Sequence, residues 1–213
     1  LLQGTTNRTA VAGLVNFTNL SHTVATNITI VFTGAGLTNV TSSAITVSPV
    51  AATTLVFATQ PGNAAAGSIF GTQPVVRSQD AFGNPSAVGL PASLNVTASL
   101  SSGTGPLQGT ASLDIGTGAG NGTAAFTNLR IDAVGSKQLT ASAGGFSSAV
   151  SSAFMVNPSP ATSLAIQTQP PASATAGTAF ATATVLRLLD VFGNWVTNDS
   201  STIVTATRNA GTA

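Results

Sequence analysis

The chain has 213 residues, which is enough for one large domain or for two of about 100 residues each. Only 5% of them are charged, against about 25% in an ordinary globular protein, and the net charge is +1. Nucleic-acid binding needs clustered Lys and Arg, and a membrane span needs about 18 consecutive apolar residues, so the sequence predicts neither partner.

Cysteine is absent, so neither disulfides nor thiolate–metal bonds can stabilise the protein. Stability must therefore come from side-chain packing and backbone pairing. The abundance of β-branched residues together with a low net charge indicates ordered strands rather than disorder.

Apolar residues alternate with polar ones over short runs, which is the pattern of strands. In residues 26–32, the side chains of Ile28, Ile30 and Phe32 fall on one face. In residues 93–100, those of Leu94, Val96 and Ala98 do the same. Further strands are predicted at Leu55–Thr59, Val75–Gln79, Thr123–Leu129, Gln138–Ala143 and Ala153–Val156. The predicted core consists of Phe57, Val75, Phe82, Leu94, Phe126, Leu129, Leu139 and Phe154.

Four sequence words occur twice, in the same order and about 109 residues apart, which indicates an internal repeat. They are TTLVFATQP and TSLAIQTQP, RSQDAFGNP and RLLDVFGNW, VNFTNL and AAFTNL, and SSAITVSP and SSAFMVNP. The repeat predicts three parts. Residues 1–49 are the second half of one unit, residues 50–158 are a complete unit, and residues 159–213 are the first half of another.

The two ends of the chain fit each other as neighbouring parts of one unit. The first residues, LLQGT, match the PLQGT that follows Gly105, and the last residues, RNAGTA, match the stretch that ends at Gly105. Two interpretations stay open at this point. Either the chain is a window cut from a longer array, or copies join head to tail so that each half unit is completed by its neighbour.

About seven short strands in a unit of about 109 residues, separated by turns rich in Gly, Pro and Asn, predict an all-β fold of tandem immunoglobulin-like antiparallel β-sandwiches. The words TQP, PVVRSQDAFGNP, GTA-F-TNL and SSAF-V resemble the bacterial-type immunoglobulin-like repeats of the invasin and intimin class. The resemblance implies an extracellular stalk, fibre or adhesin, and it does not choose among these roles. Pro49 and Pro158 are expected to stiffen the joints between units.

The DAFGNP word is predicted to form a structural turn through Asp80, Phe82, Gly83 and Asn84. Its second copy, DVFGNW, offers Asp190, Phe192, Gly193 and Asn194 in the same places. We expect the Asp and Asn side chains to bond turn amides, the Gly to adopt a positive φ, and the Phe to fill the core beneath. The competing interpretation is a calcium site, but calcium prefers six to eight oxygen ligands with several carboxylates, and one unit holds only three Asp.

Asn-x-Ser/Thr triplets are frequent and make Asn-linked glycosylation a candidate modification. Glycans would hydrate a surface that carries few charges. Asn16, Asn27 and Asn95 are expected to face outward on their strands. The candidate positions are Asn7, Asn16, Asn19, Asn27, Asn39, Asn95, Asn121 and Asn198.

No arrangement of residues indicates catalysis, a metal site or a cofactor. His22 is the only His, and the matching position of the complete unit is Ile131, so a catalytic triad built on His22 is not expected. Trp195 replaces Pro85 of the other copy and is expected to pack near a joint rather than to bind a carbohydrate.

The sequence therefore predicts a non-enzymatic structural protein, an extracellular filament, stalk or cell-surface appendage. Its predicted partner is itself, head to tail by strand complementation and laterally through faces that few charges protect, such as the one that bears Val31. The alternative is an adhesin whose ligand contacts lie in loops or outside these residues.

Overall fold

The computed structural model describes residues 1–209, and that part of the chain is all-β, without any helix. It accordingly offers no helix that is long and apolar enough to cross a bilayer. The strands are β1 (Asn27–Ile28), β2 (Val31–Phe32), β3 (Val40–Thr41), β4 (Ile45–Thr46), β5 (Ala52–Thr59), β6 (Ala64–Ala65), β7 (Val75–Asp80), β8 (Asn95–Ser102), β9 (Leu107–Gln108), β10 (Ser112–Asp114), β11 (Thr123–Ala125), β12 (Arg130–Ile131), β13 (Gly135–Ser142), β14 (Ala149–Val150), β15 (Phe154–Asn157), β16 (Ser163–Thr168) and β17 (Val185–Leu189).

Residues 50–158, called here the central unit, contain two main sheets. One has the strand order β11-β7-β5 and is antiparallel. The other has the order β10-β8-β13-β15-β6, with β14 also paired to β13 and only the β15–β6 contact parallel. A single hydrophobic cluster draws residues from both sheets, as in a β-sandwich. Its buried members are Leu55, Phe57, Ala66, Phe70, Val76, Val96, Ala98, Ile115, Ala124, Phe126, Leu129, Ile131, Leu139, Ala141, Phe154 and Val156.

The alternation predicted around β8 is confirmed. Val96 and Ala98 are buried, whereas Asn95, Thr97 and Ser99 are exposed. Strands are also confirmed within β5, β7, β13 and β15. The strand predicted over Thr123–Leu129 is too long, because β11 ends at Ala125 and Asn128 bonds to the residues that follow β9. There, the backbone amide of Thr110 donates a hydrogen bond to Asn128 Oδ1 at 2.8 Å.

Of the eight predicted core residues, five are buried: Phe57, Phe126, Leu129, Leu139 and Phe154. Leu94 is half-buried and packs against the core, and Val75 is half-buried. For Val75 the alternation was assigned one residue out of phase, since it is Val76 that is fully buried. The prediction for Phe82 is wrong, because its side chain is 59% exposed.

Residues 1–49, the N-terminal segment, and residues 159–209, the C-terminal segment, carry shorter pairings. The first holds the pairs β1–β4 and β2–β3, and the second holds the hairpin β16–β17. The strand predicted over residues 26–32 is interrupted between Ile28 and Val31. Its counterpart in the central unit, β13, has β8 on one side and β14 and β15 on the other, so it is continuous.

Candidate functional site: two joints at the Asp-x-Phe-Gly-Asn turns

The Asp80–Asn84 stretch forms a tight turn that Asp80 holds closed. The backbone amide of Gly83 donates to the carbonyl of Asp80 at 3.1 Å, and the amide of Asp80 donates to the carbonyl of Asn84 at 3.0 Å. Asp80 Oδ1 accepts from the amides of Phe82 and Asn84, both at 2.9 Å. Gly83 has a φ of 84°, a conformation that favours glycine, as predicted.

The Asp190–Asn194 stretch repeats this turn. Asp190 Oδ1 accepts from the amide of Phe192 at 2.9 Å and from that of Asn194 at 2.8 Å. Gly193 has a φ of 79°. The two sequence words therefore have the same local structure.

The side chain of Asn84 reaches beyond its own turn to the N-terminal segment. Its Nδ2 donates to Asp80 and also to the carbonyl of Thr23 at 2.8 Å. Its Oδ1 accepts from the backbone amide of Ala25 at 2.9 Å. Asn84 thus bonds to a backbone carbonyl and to a backbone amide of the N-terminal segment, so it does more than close its own turn.

Asn194 makes the matching contacts with the central unit. Its Nδ2 donates to the carbonyl of Asp132 at 2.7 Å, and its Oδ1 accepts from the amide of Val134 at 3.4 Å. Asp132 and Val134 follow Thr23 and Ala25 by 109 residues each.

The second carboxylate oxygen of each Asp holds the connecting segment. Asp80 Oδ2 accepts from the amide of Val50 at 3.1 Å, directly after Pro49. Asp190 Oδ2 accepts from the amide of Ser159 at 3.2 Å, directly after Pro158. We call the Asp80–Asn84 turn with residues 23–25 and Val50 the first joint, and the Asp190–Asn194 turn with residues 132–134 and Ser159 the second joint.

Both aspartates are buried, with 2% of their surface exposed. Burial alone would raise the pKa of Asp80, but hydrogen bonds from the Asn84 side chain and from the amides of Asn84, Val50 and Phe82 outweigh it and lower the pKa below its usual value. The pKa of Asp190 is lowered in the same way by Asn194, Ser159 and Phe192. Both carboxylates are therefore ionised at neutral pH.

These contacts do not favour the calcium interpretation. The Asp80 carboxylate already accepts hydrogen bonds on both oxygens, and the positive ends of the N–H dipoles point at it. Within residues 1–209 no group of three or more His, Cys, Asp or Glu side chains is placed to hold a metal ion. The turn is built to bind backbone amides.

The aromatic residue of the turn faces away from its own core. Phe192 lies against Gly67 of the central unit, so close that a Cβ atom on Gly67 would meet the ring. The second joint therefore includes an aromatic contact as well as hydrogen bonds. Phe82 and Phe192 are 59% and 42% exposed, so the expectation that the Phe of this turn fills the core beneath is wrong for both copies.

All eight candidate glycosylation positions, Asn7, Asn16, Asn19, Asn27, Asn39, Asn95, Asn121 and Asn198, are exposed. Asn19 differs from the others because its side-chain amide is in use. Its Oδ1 accepts from the backbone amide of Thr5 at 3.0 Å, and its Nδ2, the atom that would carry a glycan, donates to Thr5 Oγ1 at 3.0 Å. Asn95, by contrast, points outward from β8 next to the buried Val96.

The two remaining candidates, His22 and Trp195, adjoin the joints in sequence but are not among the residues that bond across them. His22 is half-buried, and its Nδ1 lies 3.2 Å from the carbonyl oxygen of Leu1. Trp195 is 49% exposed, and the guanidinium carbon of Arg187 lies 4.5 Å from its ring centroid, which is cation–π geometry.

Sequence reasoning missed three features. It did not find that Asn84 and Asn194 bond to other segments, that Gly67 receives Phe192, or that Lys137 is buried. Lys137 Nζ donates to the carbonyl of Val134 at 3.0 Å, and burial lowers the pKa of Lys137. The repetition of Gly67 as Gly177 was visible in the sequence and could have indicated the contact between Gly67 and Phe192.

Comparison with known proteins found no family model that matches the chain and no significantly similar curated protein.

Proposed function

We propose that the chain is a structural segment of an extracellular filament or stalk, in which immunoglobulin-like sandwiches follow one another in tandem and form a rigid, non-enzymatic spacer. The observation that carries this proposal is the recurrence of the joint. Asp80 and Asn84 bind Val50, Thr23 and Ala25, and the same atoms of Asp190 and Asn194 bind Ser159, Asp132 and Val134.

A repeated joint favours a mechanical role because it fixes the angle between neighbouring units. Each joint combines bonds from one turn to the connecting segment and to the preceding unit, so bending requires several bonds to break together. Individual hydrogen bonds contribute about 0.5–1.5 kcal/mol each, and those to a charged group contribute about 1.5–3 kcal/mol. The proline before each linker amide restricts the backbone further.

The surface chemistry agrees with an extracellular location and a glycan coat. Because only 5% of the residues are charged, the exposed faces carry few charges whose repulsion would keep separate filaments in solution. Asn-linked sugars on outward positions such as Asn27 and Asn95 would provide hydration and would also discourage edge pairing between strands.

Electron microscopy of the native material with helical averaging tests this function. We expect a continuous rod of sandwiches, with each joint geometry repeated along the axis and extra density on Asn16, Asn27 or Asn95. Dispersed particles without a repeated joint would contradict the proposal.

A second candidate is an adhesin, and one observation favours it. The exposed Trp195 with Arg187 against its ring is confined to the C-terminal segment, because the central unit has Pro85 at the corresponding place. Trp and Arg are enriched among the residues that contribute most to binding interfaces. Trp195→Ala would abolish binding to a host surface if this candidate is right, whereas it would leave the appearance of a spacer filament unchanged.

A further inference from the structure

We propose that the central unit resists extension by force through one seam, which joins the beginning of the unit directly to its end. The seam consists of residues 60–66 and residues 152–157, which lie side by side. The inference deepens the proposed function and rests on it, because a rigid spacer has to transmit tension from one joint to the next without unfolding.

The two strands of the seam run parallel. β6 pairs with β15, with Ala64 opposite Val156 and Ala65 opposite Asn157. The backbone amide of Ala66 donates to the carbonyl of Asn157 at 2.8 Å and extends the pairing by one residue. The other strand pairs of the central unit, which the structure describes throughout, are antiparallel. The seam therefore differs in direction from the rest of the two sheets.

Two side-chain amides extend the seam beyond the residues whose backbones pair. The backbone amide of Ser152 donates to Gln60 Oε1, and the backbone amide of Met155 donates to Asn63 Oδ1, both at 2.8 Å. Gln60 and Asn63 thus take the place of backbone carbonyls as acceptors. Both side chains are exposed, so replacing them leaves the buried core of the unit intact.

The direction of the seam decides how tension acts on it. The unit follows the first joint at Val50 and leads into the second joint after Pro158. Because the seam is parallel, the segment that comes from the first joint and the segment that leads to the second run in the same direction. Tension pulls these two segments along the seam in opposite directions, so its hydrogen bonds are sheared at the same time. Unfolding under tension then requires several bonds to break together.

Hydrogen bonds elsewhere in the unit are not stretched in this way. The Leu129 amide donates to Gln73 Oε1 at 3.0 Å, and Gln73 Nε2 donates to the Leu129 carbonyl at 2.9 Å. Both residues lie between the two halves of the seam in sequence, so the closed seam shields them from the tension. Gln73 is a matched control for the seam, because its side-chain amide also makes two bonds to backbone groups.

Constant-force extension of the whole chain, held by handles on its two termini, tests the seam. The unfolding of the central unit is recognised by the length that it releases, since an extended chain spans about 3.3–3.6 Å per residue. Gln60→Ala together with Asn63→Ala removes both side-chain acceptors. We expect the unfolding rate under force to rise about tenfold, because contacts already broken in the transition state put their whole loss of stability into the unfolding rate.

Gln73→Ala should lower the stability in urea by a similar amount, yet it should change the unfolding rate under force by less than about twofold. Its bonds persist until the seam has parted, so their loss slows folding rather than speeding unfolding. A rate that stays the same in the double variant, or an equal increase in Gln73→Ala, would overturn the inference.

Asn63→Asp provides a rescue variant. The carboxylate keeps an oxygen that can accept from the Met155 amide, so we expect Asn63→Asp to unfold under force at the rate of the unaltered chain, whereas Asn63→Ala unfolds faster. If Asn63→Asp unfolded as fast as Asn63→Ala, the bond to Met155 would not be what resists the force, and the inference would fall.

The outcomes separate this inference from the proposed function. Native rods, together with an unfolding rate that ignores Gln60 and Asn63, would keep the structural role and remove the seam. Native material without rods would remove the proposed function. The rates of the double variant and of Gln73→Ala would still decide whether the seam resists force.

Discussion

Phe192 and Gly67 are in direct contact across the second joint, and the Phe192 ring occupies the place that a Cβ on Gly67 would take. No side chain larger than hydrogen fits there unless the ring moves away. The contact ties the C-terminal segment to the central unit at a point separate from the hydrogen bonds of Asn194.

Gly67→Ala should therefore open the second joint. Alanine strains the positive φ and also displaces Phe192, so we expect a change in the fluorescence of Trp195, the only Trp, which follows Asn194. The control is Gly177→Ala, which has a φ of 78° and an open Cβ position, so in dilute monomer it carries only the backbone strain of about 1 kcal/mol. Equal spectra of the two variants would show that Phe192 does not hold the joint.

Acid should loosen both joints. The pKa of Asp80 and that of Asp190 are lowered in the folded protein, so their contribution to stability is fully present above the unfolded pKa of about 4 and is lost as the pH falls through the lower folded value. Asp199, whose pKa is lowered to about 2 by hydrogen bonds from Thr202 and Ser201, keeps its contribution until the pH approaches 2. Urea unfolding between pH 7 and pH 2 measures this.

In that titration, Asp80→Asn is the informative variant. It keeps the shape of the side chain but has no carboxylate to protonate, so we expect lower stability at pH 7 and a flatter decline below pH 4. A wild-type curve that stays level down to pH 2 would mean that the carboxylates do not support the joints.

The two Asn side chains should act on different segments. Asn84→Ala removes the bonds to Thr23 and Ala25 and should free the N-terminal segment, whereas Asn194→Ala should free the C-terminal segment. Each loss should cost about 1–3 kcal/mol of local stability. Hydrogen exchange can distinguish them, because protection should fall at the Ala25 amide in the first variant and at the Val134 amide in the second. As a control, Asn95→Ala changes an exposed residue and should leave the protection of both amides unaltered. If either Asn→Ala variant lost protection at the Ala25 and Val134 amides together, the two joints would not act independently.

Glycan occupancy should differ between two of the candidate positions. In a host that glycosylates Asn, we expect folded protein to carry sugar on Asn95 and none on Asn19, whose Nδ2 bonds to Thr5. Peptide mass spectrometry after enzymatic release reads this directly. As a matched pair, Asn19→Gln should lower stability by about 1 kcal/mol and Asn95→Gln should not. Full occupancy of Asn19 in folded protein would contradict the role given to that amide.

The sequence predicted most securely the features that depend on one strand alone, such as which of its side chains are buried. Val96 and Ala98 alternate with polar neighbours because one face of β8 is buried, and that alternation is visible without the structure. The repeated words likewise predicted that Asp80 and Asp190 would hold similar turns.

Contacts between segments were not predictable in the same way. Asn84 binds the carbonyl of Thr23 and the amide of Ala25, which are groups that nearly every residue possesses, so no side-chain pattern marks them. Phe82 was assigned to a core because aromatic residues are usually buried, although its turn directs it outward. The buried Lys137 was missed because an isolated Lys is normally exposed.

Because each joint is bonded to main-chain groups, it places few constraints on how the gene for this protein can be rearranged. Since Asn84 and Asn194 recognise peptide groups and not particular side chains, the residues at the receiving positions are free to differ, as Thr23 and Asp132 do. Recombination could thus duplicate, delete or exchange blocks of about one unit without compensating substitutions at the new boundaries. In the tandem array that we propose, the number of units would then evolve independently of the sequence of each unit.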